Sequence, residues 1–197
     1  MTLLLKLSQL IDWLNERVGK ASFWLVLIMT LISAANASYR FVFNDSSNGL
    51  LEIQWYLFAA VFLLCSPYTL QKNEHVRIDV LSGKLSPRGL AVIDIIGTLF
   101  FLLPMVVVVL WLSLPLIAES YKIQEMSANA GGLIRWPVKV LLPIGFTLLA
   151  LQGISELIKR IAFLAGRIED PNSKPKGPTP EEELAAAIAA AKAQEAK

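Results

Sequence analysis

The stretch LAVIDIIGTLFFLLPMVVVVLWLSLPLIA, residues 90–118, decides the fold class of this chain. It contains a single charged residue, Asp94. A bilayer core about 30 Å thick is crossed by about 20 apolar residues at roughly 1.5 Å per residue, so this stretch is long enough to span a membrane as a helix. The sequence therefore predicts an all-α integral membrane protein.

The composition of the whole chain agrees with this fold class. Of its 197 residues, 55% are hydrophobic and 17% are charged, and the mean hydropathy is +0.55. Soluble domains carry about 25% charged residues. The net charge of +2 is too small to predict a nucleic-acid partner. One cysteine and one histidine cannot build a disulfide framework, a structural zinc site or a bis-histidine haem site, so we expect no cofactor and no metal.

Three further segments are long and apolar enough to cross the bilayer. The four predicted spans are residues 21–43, 52–71, 90–118 and 136–158. The last span carries Lys139 and Glu156 near its ends, where long side chains can reach the headgroups. Prolines inside the third and fourth spans indicate that neighbouring helices satisfy the freed carbonyl groups. We therefore predict one four-helix transmembrane domain over residues 21–166.

Lysine and arginine flank these spans unevenly, which predicts their orientation. If the N-terminus is cytoplasmic, the inner flanks hold ten such residues and the outer flanks hold four. Cytoplasmic flanks normally carry the excess. Aromatic side chains such as Trp55 and Trp136 fall near the predicted outer interface, where they would anchor the helices. We therefore expect both termini in the cytoplasm.

Residues 1–20 have the pattern of an amphipathic helix. Leucines recur in steps of three and four from Leu3 to Leu14, and the charged residues lie mostly on the other face. This predicts a helix at the cytoplasmic membrane surface or against a partner. An alternative is that Ala35-Asn36-Ala37, a small-x-small pattern after an apolar run, is a signal-peptidase site. The long segment of mixed charge before that run argues against cleavage.

Residues 167–197 form a predicted cytoplasmic tail. Proline and glycine make its first half a flexible linker. Thr179, Pro180 and Glu182 then have the types expected at the start of a helix, and an Ala-rich stretch follows. A lone helix of this length is marginal in water, so we predict a mainly solvated tail.

Residues with chemical potential are few. No nucleotide-binding or acyl-transfer motif occurs. Asp94 and Glu156 lie within predicted spans but near the cytoplasmic end, where Asp94 could meet Lys159 or Arg160 and Glu156 shares a helical face with Arg160. We interpret these groups as structural ion pairs rather than a proton relay. No second catalytic group accompanies His75, the only histidine, so the sequence does not predict an enzyme.

The connection between the third and fourth spans leaves two interpretations open. It reads ESYKIQEMSANAGGLIRWP over residues 119–137, with a glycine pair that breaks the chain before Arg135-Trp136-Pro137 begins the last span. One interpretation is an interfacial turn with a tryptophan anchor. The other is a surface that faces the periplasm and binds a soluble partner.

Two motifs make the sequence resemble a known family. NEHVRIDVL at residues 73–81 follows the second span, and GGLIRWPVKVLLPIGFTLLALQG at residues 131–153 enters the fourth. Together with the four spans, they make residues 7–166 similar to the small membrane subunit of TRAP (tripartite ATP-independent periplasmic) transporters, the DctQ family.

The resemblance implies a function and two partners. Such a subunit works in the bacterial inner membrane with a large, DctM-like membrane subunit and a periplasmic, DctP-like substrate-binding protein. The family imports carboxylate-bearing solutes, usually with sodium. The large subunit holds substrate and ions, so this chain is expected to be a fixed scaffold and a docking surface.

We predict two sets of partner contacts on this resemblance. One set is expected to contact the large subunit: Gln54, His75, Arg77, Asp79, Asp94 and Gln152. The other set is expected to help dock the binding protein: Glu119, Lys122, Gly131, Gly132, Arg135, Trp136 and Lys139. Small residues at Gly97, Gly145, Ala150 and Gly153 are expected to admit a closely packed helix.

A second hypothesis belongs to another functional class. A four-helix membrane anchor or assembly subunit of a respiratory complex would share the four spans, but it would co-purify with haem absorbance or quinone-linked activity. An autonomous membrane enzyme is a third hypothesis, disfavoured because no catalytic constellation occurs.

Overall fold

The computed structural model describes residues 2–45, 47–73 and 86–171. Its four long helices are α1 (Thr2–Phe43), α2 (Asn48–Lys72), α3 (Pro87–Lys122) and α4 (Trp136–Leu164). Each is long and apolar enough to cross a membrane. Within the described residues there is no strand, only an isolated bridge between Met126 and Ile134. The predicted all-helical fold with four spans is confirmed.

Local sequence explains where several of these helices begin and end. The Ser86 side chain accepts a hydrogen bond from Gly89 N at 3.2 Å, and Pro87 takes the first helical position of α3. Asn73 ends α2 in the left-handed region, with φ of 55°. Gly166 adopts the same region, with φ of 68°, just after α4.

The first helix is continuous, so residues 2–20 belong to the same helix as residues 21–43. From Thr2 to Phe43 it spans 42 residues and passes without a break through Ala35–Ala37. The predicted location of its first half at the membrane surface stays a prediction. The sequence did not reveal this continuity because Glu16, Arg17 and Lys20 separate the leucine pattern of residues 3–14 from the apolar run that begins at residue 21.

The first half of α1 packs inward through its small and polar face. The buried residues recur every three or four positions: Ser8, Ile11, Asn15, Gly19 and Ser22. The leucine face is turned outward, with Leu3 and Leu10 exposed to 79% and 62%. Helices associate in lipid through close packing and hydrogen bonds rather than through the hydrophobic effect, which explains why the apolar face is outside.

The third helix lies at the edge of the arrangement. It packs almost wholly against α4, whereas α1 and α2 pack against each other and against α4. Its residues 98–102 form a π-helical segment just before Pro104. Proline lacks an N–H and disturbs the hydrogen-bond ladder of the preceding turn, which accounts for this wider segment. The helices therefore form an open arrangement with α4 at its centre.

Two of the predicted close-packing glycines contact this chain's own helices. A Cβ on Gly145 would lie 2.8 Å from Leu63 Cβ and 2.9 Å from its carbonyl oxygen. A Cβ on Gly153 would lie 2.9 Å from Leu102 Cδ2. Gly97 has nothing within 4 Å of the corresponding position. Gly145 thus fixes the approach of α2 to α4.

We expect Gly145→Ala to lower the free energy of unfolding by about 1–3 kcal/mol relative to Gly97→Ala. Both changes gain the same helix propensity, roughly 1 kcal/mol, so their difference reports packing alone. Only Gly145 must push against the backbone of another helix. The measurement is thermal unfolding in detergent, followed by tryptophan fluorescence. Equal midpoints for the two variants would contradict the close approach of α2 and α4.

Candidate functional site

Residues 123–135, hereafter the outer loop, fold back over the start of α2. Ser127 N donates to Leu133 O at 2.9 Å, and Arg135 N donates to Glu125 O at 2.8 Å. Asn48 Nδ2 of α2 donates to Ala130 O at 2.9 Å. These bonds give the loop a defined hairpin-like shape. We call the end of the molecule that carries the outer loop the loop end.

The carboxylate of Glu52 organises the outer loop. Glu52 is only 3% exposed. Its Oε2 accepts from Leu133 N at 2.7 Å, and its Oε1 accepts from Asn129 Nδ2 at 2.9 Å and from Ser127 Oγ. Three donors of one loop therefore converge on one helical side chain. Sequence reasoning treated Glu52 as the first residue of a span and as the end of an outer segment, residues 44–52, expected to help dock the binding protein. The signal was an acid one turn into an otherwise apolar helix.

The glycine pair has a defined structural role in this loop. Gly131 has φ of 70°, a conformation that favours glycine. A Cβ on Gly132 would lie 2.5 Å from Ser127 Cβ and 2.8 Å from Glu52 Oε1. The pair thus lets the chain turn and pass close to the Glu52 carboxylate.

Glu125 holds the two basic groups of the loop end. Its carboxylate contacts Lys139 Nζ and lies 3.8 Å from Arg135 NH1. The hydrogen bond from Lys139 lowers the pKa of Glu125 below its ordinary value. The ionised carboxylate therefore stabilises the loop at pH values above its ordinary pKa. That contribution is lost as the pH falls through the lowered pKa.

The structure brings the residues of the predicted docking set to one end. Glu119 and Lys122 are exposed in the last turn of α3, and Trp136 begins α4. The Trp136 ring meets Tyr121 edge-on, with centroids 5.3 Å apart. Gly131 and Arg135 are exposed on the loop between these helices. Their contact with a binding protein stays a prediction.

A network of polar side chains joins the helices at the opposite end and is hereafter the inner polar cluster. Its members are Ser8, Asp12 and Asn15 of α1, Asp94 of α3, and Gln152, Ser155, Glu156, Lys159 and Arg160 of α4. Asp12 Oδ2 lies 3.1 Å from Lys159 Nζ, and Asp12 Oδ1 accepts from Ser155 Oγ at 2.7 Å. These bonds fasten the first half of α1 to α4.

The predicted ion pair of Asp94 is confirmed. Asp94 Oδ2 lies 3.4 Å from Arg160 NH2, and Glu156 Oε2 lies 3.7 Å from the same nitrogen. Lys159, the other predicted partner, instead pairs with Asp12 and Glu156. The charged side chains of α3 and α4 at this end therefore form ion pairs with each other within this chain.

The structure removes Gln152 from the predicted partner surface. Gln152 is 0% exposed. Its Nε2 donates to Asp12 Oδ1 at 2.9 Å and to Glu156 Oε1 at 3.1 Å, while its Oε1 accepts from Asn15 Nδ2 at 2.7 Å. All of its polar atoms are thus used inside the chain. Sequence reasoning placed Gln152 among the polar residues that could bond to a neighbouring subunit, because no partner for its amide within the chain was visible in the sequence.

The other predicted large-subunit contacts have different outcomes. Gln54 is half-buried, and its Nε2 donates to Leu50 O at 3.0 Å within α2. Asp94 is partly exposed beside Arg160. His75, Arg77 and Asp79 lie outside the described residues.

The middle of each described helix is uncharged. No Asp, Glu, Lys, Arg or His occurs in residues 21–39, 53–71, 95–118 or 140–155. Substrate and ion pathways in membranes are usually marked by such residues within the spans. The ionisable groups of the described helices instead lie toward the loop end or toward the end that carries the inner polar cluster.

Comparison with known proteins supplies the family. Residues 29–163 match the family described as "Tripartite ATP-independent periplasmic transporters, DctQ component". The chain belongs to the DctQ family. This match covers both the outer loop and α2 to α4 in nearly their full extent. DctQ chains are transporter components and not an enzyme family.

A curated relative agrees with this assignment. A protein of Haemophilus influenzae named as a TRAP transporter small permease protein is 26% identical to this DctQ chain over 97 residues. The aligned part covers 49% of this chain and 60% of the relative. No solved structure matches this DctQ chain.

Proposed function

We propose that this DctQ chain is the small membrane subunit of a TRAP-type secondary transporter in the bacterial inner membrane. It works with a large, DctM-like membrane subunit and a periplasmic, DctP-like binding protein to import carboxylate-type solutes by sodium-coupled symport. The observation that carries the proposal is the family match over residues 29–163. Both termini are cytoplasmic, and the outer loop faces the periplasm.

The role of the chain in this complex is that of a fixed scaffold. Its uncharged helix centres support this role, because substrate and ion pathways in membranes are usually marked by ionisable groups there. The inner polar cluster and the Glu52 carboxylate brace the two ends of the helices. Helices held at both ends are suited to resist motion of a neighbouring carrier subunit.

The outer loop is the proposed docking surface for the binding protein. It combines exposed groups, such as Arg135 and Gly131, with a shape fixed by the buried Glu52. Preorganised surfaces bind with a smaller loss of conformational entropy. At the opposite end, Asp94 is a proposed contact with the large subunit, and His75, Arg77 and Asp79, outside the described residues, stay proposed contacts as well.

We expect Arg135→Glu to reduce uptake about tenfold when the binding protein is limiting, because it reverses a charge on the docking surface. Arg135 has a half-exposed side chain and a loose 3.8 Å contact with Glu125, so the loop should stay folded. The measurement is solute uptake in vesicles that contain both membrane subunits, with the binding protein titrated. Arg88→Glu, exposed at the opposite end, is the matched control. Normal uptake by Arg135→Glu at limiting binding protein would refute the docking surface.

The proposed complex is tested by co-purification. An affinity-tagged chain, expressed with the genes beside its own, should retain a large multi-span membrane protein in about equal amount. The complex should bind the purified periplasmic protein reversibly. Recovery of a haem-containing or quinone-linked enzyme instead would support the respiratory-subunit hypothesis and contradict the proposed function.

A further inference from the structure

A polar cleft lies between the last turns of α1 and the first turns of α2. Its volume is about 450 Å³. Asn36 and Arg40 line it from α1, and Leu51 and Gln54 line it from α2. Glu52, by contrast, is turned toward the outer loop. The cleft is therefore a separate feature of the loop end, outside the proposed docking surface.

Asn36 is the unusual residue of this cleft. It lies on the same face of α1 as Ser8, Asn15 and Ser22, each of which makes a hydrogen bond. Asn36 is only 6% exposed, and its Oδ1 has no hydrogen-bond partner among the described residues. A buried amide without a partner is costly, and more so near hydrocarbon. The burial of Asn36 Oδ1 without a partner points to a polar ligand in the cleft.

Arg40 supplies a positive charge one helical turn from Asn36. Among the described residues that line the cleft, it is the single cation, and none is an acid. Four residues along a helix correspond to a rise of about 6 Å. Arg40 is nearer the helix end and Asn36 is nearer the membrane centre. The cleft thus offers a cation at its mouth and an amide deeper inside.

We propose that this cleft binds one membrane phospholipid through its phosphate and its glycerol ester. In a phospholipid the phosphate lies nearer the water and the ester carbonyls lie nearer the chains, which is the order of Arg40 and Asn36. Arg40 donates to the phosphate. An ester carbonyl only accepts hydrogen bonds, so it cannot satisfy Asn36 Oδ1 directly. Rotation of the side-chain amide by 180° puts Nδ2 in the position of Oδ1, and Nδ2 then donates to the ester carbonyl.

The rim of the cleft favours a lipid over a small anion. Phe41 is 90% exposed and Leu51 is 40% exposed, and both border the polar residues. Such apolar side chains can contact the glycerol and the first methylenes of an acyl chain. Inorganic phosphate would use neither the apolar rim nor the deeper amide. The bound lipid would fill the space between α1 and α2 and stabilise the loop end.

Native mass spectrometry of the purified full chain tests the proposal. The probes are dioleoylphosphatidylglycerol, dioleoylglycerol, which lacks the phosphate, and inorganic phosphate. We expect tight binding of one phosphatidylglycerol only. Arg40→Gln should weaken it about tenfold, the loss of one charge-assisted hydrogen bond. Asn36→Leu should also weaken it, while Arg88→Gln, exposed at the opposite end, should bind normally. Unchanged circular dichroism spectra will show that the variants are folded.

Three results would overturn the proposal. The first is equal binding of phosphatidylglycerol by Arg40→Gln and the unsubstituted chain. The second is binding of dioleoylglycerol or inorganic phosphate as tight as that of the phospholipid. The third is no phospholipid binding by the unsubstituted chain, with Arg40→Gln instead weakening co-purification of another membrane protein. That last result would assign the cleft to a protein partner. None of these results depends on transport activity, so failure of the lipid proposal and failure of the proposed function can be distinguished.

Discussion

Lys159→Met is expected to lower the free energy of unfolding by roughly 3–5 kcal/mol, the cost of breaking a largely buried ion pair. Lys159 Nζ lies 3.1 Å from Asp12 Oδ2 and also contacts Glu156. Its side chain is only 18% exposed. Methionine keeps most of the length and apolar volume of lysine but leaves two carboxylates facing each other without their shared cation. The first half of α1 should then detach from α4 at a lower temperature.

The measurement is unfolding in detergent, followed by tryptophan fluorescence or circular dichroism. Lys20→Met is the matched control, because Lys20 pairs with Glu16 at 2.7 Å but its side chain is 60% exposed. Exposed pairs contribute about 1 kcal/mol or less. Adding Asp12→Leu to Lys159→Met should recover part of the loss, because it removes one uncompensated carboxylate. Equal effects of Lys159→Met and Lys20→Met would show that the inner polar cluster does not hold α1.

Glu52→Gln is expected to release the outer loop. The Glu52 carboxylate accepts from Leu133 N, Asn129 Nδ2 and Ser127 Oγ. An amide keeps one oxygen and turns an NH2 group toward these donors, so at least one donor loses its acceptor. Each lost buried hydrogen bond costs about 1–3 kcal/mol. The resulting loss of loop stability should raise the exchange rate of the loop amides by roughly a hundredfold.

Hydrogen exchange with mass spectrometry over residues 123–135 measures this effect. Glu119→Gln is the control, because Glu119 is exposed near the same end. Its loop should exchange like that of the unsubstituted chain. Helix α3 should keep its protection in both variants, since it packs mainly on α4. Normal exchange in the loop of Glu52→Gln would contradict the role of that carboxylate.

The transmembrane helices could be predicted from the sequence because the membrane imposes a simple rule. Residues 90–118 are too long and too apolar to be anything but a span, and the other three spans obey the same rule. The Asp94–Arg160 pair could also be predicted, because both residues lie near the same end of neighbouring spans. The length of each apolar segment predicts the span, and the positions of the charges near its end predict the ion pair.

The internal polar contacts could not be predicted in the same way. Glu52 meets Ser127 across 75 positions of sequence, and Asp12 meets Lys159 across 147. No periodicity within one helix reveals such a partner. The leucines of residues 3–14 lie on the exposed side of α1, and which side of a helix turns inward depends on the neighbouring helix. Ser8, Asn15 and Ser22, spaced by seven, were the overlooked signal.

We propose that this DctQ chain supports the large subunit and docks the binding protein but carries no transport site. The most direct measurement is uptake of a carboxylate solute, chosen because the binding protein binds it, into liposomes under an inward sodium gradient. Liposomes with this chain alone should accumulate no more solute than empty ones. Liposomes that also contain the large subunit should accumulate it when the binding protein is added. Accumulation by this chain alone would contradict the account.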